Sequence, residues 1–153
     1  MNPSVRLRIG ELSAQRSNLK AEKDYKGAIP LQLEIIELLE EHAGLQPELA
    51  SAHNYASSLY LFCALLHAAE HHARAALSLS SGETVKDLEA RGCYNRILAQ
   101  ILAAQYRFEE ALPFAENAVR DYSAFHNPPD AYLSQVSAEA ERIRNRTWSP
   151  PPN

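Results

Sequence analysis

His67, Glu70, His71 and His72, in the stretch LLHAAEHHARAALSL (Leu65–Leu79), are the densest group of side chains able to do chemistry. His67 and His71 stand four apart, which puts both imidazoles on one face of a helix. Two imidazoles with a carboxylate could hold a divalent metal such as zinc. In a helical register these residues fall on the side away from the partner helix, so a solvated polar face is expected and no metal. His42, His53 and His126 are scattered, and are expected at helix ends or on the surface. The chain has no G-x-S-x-G, no H-E-x-x-H and no glycine loop that could cradle phosphate. The carboxylate pairs Glu40-Glu41 and Glu109-Glu110 are adjacent in sequence and so point in different directions. No catalytic residue and no cofactor is expected.

Basic and aromatic residues meet near the C-terminus, where Arg142, Arg144 and Arg146 precede Trp148 and Ser149-Pro150-Pro151-Pro152. Cations at a helix C-terminus offset the helix dipole, which is reading enough for the arginines. A nucleic-acid contact is the weaker alternative, and the net charge of −4 does not favour it. The proline-rich end could serve as a docking peptide or fold back onto the chain. Cys63 and Cys93 lack metal-like spacing and are expected as reduced thiols on helix faces. No segment reaches 18 unbroken apolar residues and the start lacks a secretory core, so a cytoplasmic protein without a membrane segment is expected.

The elements that must position these residues are helices. The apolar fraction is 46% and the charged fraction 22%, as in an ordinary soluble domain. Five glycines and almost no alternating β-branched runs argue against strands. The stretches YKGAIPLQLEII (Tyr25–Ile36) and YRFEEALPFAENAV (Tyr106–Val119) echo one another, with Ala28 and Pro30 matching Ala111 and Pro113. Ala69 lies between them, at separations of 41 and 42 residues. A near-constant period marks a repeat array.

A partner helix is expected before each copy: Pro3–Ala21, Glu48–Cys63 and Val85–Ala104. A fourth, Asp130–Arg146, follows the last copy. Asn2-Pro3, Asp24, Pro47-Glu48, Thr84 with Asp87, and Asn127-Pro128-Pro129-Asp130 supply starts and stops. Gly44 and Gly82 sit where the chain leaves a helix. Ala28, Ala69, Ala111, Ser57 and Ala99 are small enough for close helix crossings. The prolines lie near helix starts, where few backbone bonds are lost.

Ser57, Tyr60, Ala69 and Ala76, then Ala99, Leu102, Ala111 and Ala118, resemble the tetratricopeptide repeat. The period near 42 and the phrase YKGAIPL, with PELASAHNYASSLY, resemble the kinesin-light-chain variety. Arg16 stands where the first copy should carry a small residue. The resemblance implies an all-α solenoid of three tetratricopeptide-like helix pairs plus a C-terminal capping helix, over residues 1–146, with a Pro-rich tail at 147–153.

In stacked helix pairs the first helix of each pair lines the concave groove. That register places Ser13 and Ser17, then Asn54, Tyr55 and Ser58, then Arg96 and Gln100 on the inner face. Amides can bond both groups of a peptide unit, and a guanidinium can grip a carboxylate at two points. The resemblance implies that Asn54 holds the backbone of an extended peptide. A non-catalytic adaptor that binds a partner protein segment in its groove is therefore expected. A client-specific assembly chaperone is the alternative, and a small metal protein or enzyme built on His67 and His71 stands behind both.

Overall fold

A computed structural model describes residues 1–124, 126 and 130–151. Those residues form seven helices and no strand: α1 Pro3–Ala21, α2 Tyr25–Glu40, α3 Gln46–Phe62, α4 Leu66–Ser78, α5 Val85–Ala104, α6 Phe108–Ser123 and α7 Ala131–Arg144. The chain divides into two compact units, Met1–Leu79 and Ser80–Asn153. In the first, α1, α2, α3 and α4 pack each against the next; in the second, α5 packs on α6 and α6 on α7.

The starts of α1, α2, α5 and α7 are capped at the expected residues, whereas α3, α4 and α6 begin without a side-chain cap. Asn2 Oδ1 accepts from the Ser4 N–H, Asp24 Oδ1 from Gly27 and Asp130 Oδ1 from Leu133. Thr84 and Asp87 form a reciprocal capping box. The expected stop signal at Asn127, Pro128 and Pro129 lies outside the described residues, as do Pro152 and Asn153 of the tail.

The ends of α1, α3, α5 and α7 share one design. Lys23, Ala64, Tyr106 and Arg146 follow these helices at φ of 61°, 57°, 60° and 57°. Behind each, the next N–H reaches back five residues: Asp24 to the Leu19 carbonyl, Leu65 to Tyr60, Arg107 to Leu102 and Thr147 to Arg142. This is the left-handed exit in which two backward hydrogen bonds satisfy the last carbonyls. It recurs at intervals of 41, 42 and 40 residues, so the backbone repeats where the side chains do not.

The small residues sit at crossings. Ala28, Ala69, Ala111 and Ser57 are fully buried and Ala99 nearly so. One core cluster of the first unit joins Leu12 of α1, Ile35, Ile36 and Leu39 of α2, and Ala52 and Ala56 of α3. A second gathers Ala28, Ile29 and Leu59. In the second unit Ala118, Tyr122, Leu133 and Val136 form the core of the α6–α7 contact. Pro30 and Pro113 are exposed and lie inside α2 and α6 at matching sixth positions. That is one turn deeper than expected, and each forfeits one intrahelical bond.

Candidate functional site

In the second unit α5 carries two arginines that each grip a buried carboxylate. Arg91 donates from Nε and Nη2 to Asp121 of α6 at 2.9 and 2.8 Å. Asn95 Nδ2 also donates to the Arg91 carbonyl at 3.0 Å. Gly92 makes room for this contact, since a Cβ there would stand 3.3 Å from Asp121 Cβ and 3.4 Å from the Tyr122 ring. Arg96 donates from Nε and Nη2 to Glu139 of α7 at 2.8 and 2.6 Å, and from Nη1 to Tyr132 Oη at 2.9 Å. Gln100 Nε2 completes the set, donating to Glu139 Oε2 at 3.1 Å. The bonds to Glu139 raise the Arg96 guanidinium further above its ordinary range, against the opposing pull of burial.

Arg96 thus makes the two-point carboxylate contact expected of it, but with its own chain. Arg96 and Gln100 tie α5 to α7 around Glu139, which is 7% exposed. An outside carboxylate would have to displace Glu139.

The sites expected in the first unit are arranged differently. Tyr55 of α3 lies beneath two cations of α1, with the Arg16 guanidinium 3.7 Å and Lys20 Nζ 5.1 Å from the ring centroid. Arg16 also donates from Nη1 to Gln32 Oε1. Gln32, fully buried on α2, passes the link to α3 by donating to the Ala52 carbonyl at 2.7 Å. Arg16 is thus engaged with both neighbouring helices, with α2 through Gln32 and with α3 through the Tyr55 ring. Its Nε is buried without a hydrogen-bond partner among the described residues, and stacking on the ring offsets that cost.

Asn54 and Tyr55 are half-buried, and Ser58 Oγ donates to the Asn54 carbonyl at 3.2 Å. Ser17 is exposed and its hydroxyl donates to the Ser13 carbonyl at 2.8 Å. The fold brings Arg16, Lys20 and Tyr55 together; Lys20 was not singled out in the sequence. Its spacing of four from Arg16 was the available signal.

The histidines require a correction. His53 is not at a helix end or on the surface; it is 8% exposed, in mid-α3. His72 is not on a solvated face. Its Nδ1 lies 2.9 Å from His53 Nδ1, and its ring stacks on Tyr60 with centroids 5.4 Å apart. Burial pushes the His72 imidazole down to about 4, with His53 and His71 adding to the fall. Burial also lowers His53, opposed by Glu40. The spacing of His53 from Ala50 and Ala56 placed it on the buried stripe of α3. His67 and His71 are exposed, as expected.

Among the described residues, no group of three or more His, Cys, Asp or Glu side chains could hold a metal ion. Cys63 and Cys93 are free thiols, half-buried. Arg144, the last residue of α7, pairs with Glu116, and Arg146 with Glu109, so both arginines bind α6. Trp148 is buried, 7% exposed, so this part of the tail folds back. No described helix is long and apolar enough to cross a membrane. Neither a protein-family model nor a curated protein matches the chain.

Proposed function

We propose that this chain is a tetratricopeptide-like array of three helix pairs with α7 as its cap, working as a non-catalytic module that binds a segment of a partner protein. The observation that carries the reading is the Arg16–Lys20–Tyr55 arrangement in the first unit. Neither cation is paired with a carboxylate among the described residues. A charge left uncompensated on an aromatic platform suits an acidic group of a partner. Asn54 and Ser58 stand beside it on α3, and Ser17 on α1. Arg96 and Gln100, already bonded to Glu139, serve the fold first.

Lys20→Glu is the discriminating change, because Lys20 is exposed and touches the fold only through its ammonium over the Tyr55 ring. Proteins retained from a lysate by the native chain should be lost with Lys20→Glu and kept with His71→Ala. Retention by Lys20→Glu alongside loss with His71→Ala would move the binding face to α4. The client-chaperone reading gains support from one feature, the stacked Tyr25 and Phe62 rings, 4.6 Å apart, with Phe62 41% exposed. Partners held through that pair would be lost with Phe62→Ser instead.

A further inference from the structure

We propose that Glu40, His53 and His72 form a proton-operated latch that holds α4 against α3 and that mild acid releases. Two imidazole nitrogens 2.9 Å apart must share one hydrogen, one ring donating and the other accepting. The pair can take up one proton and keep this bond. His53 is the natural seat for it, because its Nε2 lies 4.0 Å from Glu40 Oε1 of α2. A second proton removes the only accepting lone pair. Two N–H groups and two positive charges then face each other between a buried ring and a half-buried one, and the contact turns repulsive.

The surroundings offer little relief. The groups around the pair are Glu40 from α2, the Tyr60 ring from α3 and His71 from α4. Glu40 faces His53, on the far side from His72. The Tyr60 ring covers His72 without charge, and His71 sits edge-on to it at 5.3 Å. A protonated His71 adds to the repulsion.

The sign follows from proton counting. In an opened pair both imidazoles titrate near the ordinary 6.5, while the closed pair holds His72 neutral to about 4. The open form therefore binds more protons throughout that window. The latch is fully closed above 6.5 and weakens as pH falls towards 4.

Two measurements on the 153-residue chain test this. Nitrogen-detected NMR of the imidazoles should show one shared proton step and a second step below pH 5. Amide exchange, corrected for intrinsic rate, should quicken in α4 by about ten-fold or more between pH 7 and pH 5. In His72→Gln, whose amide can still bond His53 but does not titrate, α4 exchange should not respond. Independent titration of both rings near 6.5 would overturn the proposal. So would an equal acid response of α4 in His72→Gln. Should that variant not fold, the NMR titration of the native chain decides alone.

Discussion

Glu139 shows what a single buried side chain can demand. Its two oxygens take three hydrogen bonds, from Arg96 and Gln100, and little water reaches it. Glu139→Ala should cost about 3–5 kcal/mol, because the largely shielded Arg96 guanidinium is left without a counter-charge. Arg96→Met combined with Glu139→Leu should recover most of that loss, since the pair's own net value is small. Urea denaturation of the two variants gives both numbers, and a double variant as unstable as the single one would contradict the account. Gly92 poses the opposite demand. Asp121, held by Arg91, cannot give way to a new methyl, so Gly92→Ala should cost about 1–3 kcal/mol through overpacking. A thermal melt no lower than the parent's would show that the crossing is looser than 3.3 Å implies. Neither carboxylate was legible as buried in the sequence. Helical spacing alone held a clue, since Asp121 stands three residues after Ala118, and Glu139 three after Val136 and four before Ile143, but a carboxylate on such a stripe reads as its polar edge until a partner is seen. Which arginine of α5 would meet which acid depends on how the helices pack, and spacing along one helix is silent on that.

Helices, by contrast, were legible nearly to the residue, because their starts and crossings are written locally. α1 and α5 have the expected bounds, and α3 begins two residues earlier than expected. Capping atoms and small residues act within a few positions, so a short window holds the information. The exits were less legible, since none of the four left-handed positions carries glycine. A non-glycine residue there costs about 1–2 kcal/mol, part of which glycine would regain. Ala64→Gly should thus stabilise the first unit by about 0.5–1 kcal/mol, whereas Gly in a helix interior does the reverse. Denaturant midpoints for Ala64→Gly and Ala14→Gly, which lies within α1, should move in opposite directions. At the crossings, Ala69→Leu or Ala111→Leu should cost about 1–3 kcal/mol; both alanines are fully buried. An unchanged melt in either would count against the alignment of the repeats.

For the molecule as a whole, the histidines bear on what holds it together. His53 bonds His72, His42 bonds the Leu38 carbonyl, and His126 bonds Asp130 at 2.8 Å. These nitrogens are engaged within the chain, so excess chelator should leave the melting temperature unchanged. A fall on chelation, reversed by zinc, would return His67 and His71 to consideration as ligands. The division into Met1–Leu79 and Ser80–Asn153 was not visible in the sequence. The even period of 41 and 42 runs through it without a change in composition. A boundary between packed units reflects which helices share a core, and the chain writes its helices alike on both sides.

The four left-handed exits, with Lys23, Ala64, Tyr106 and Arg146, give the chain something like an internal set of replicate measurements. The same backbone geometry recurs four times with a long cation, a methyl, a ring and a guanidinium. Tyr106, at 85% exposure, shows that a bulky group at such a position can stand clear in water. A spectroscopic label introduced through cysteine at each position in turn would leave the turn's hydrogen bonds untouched, as those use only main-chain atoms. Differences among the four signals would then report on local surroundings and not on the attachment. The same positions could carry sequence tags or anchoring groups with little cost to the fold.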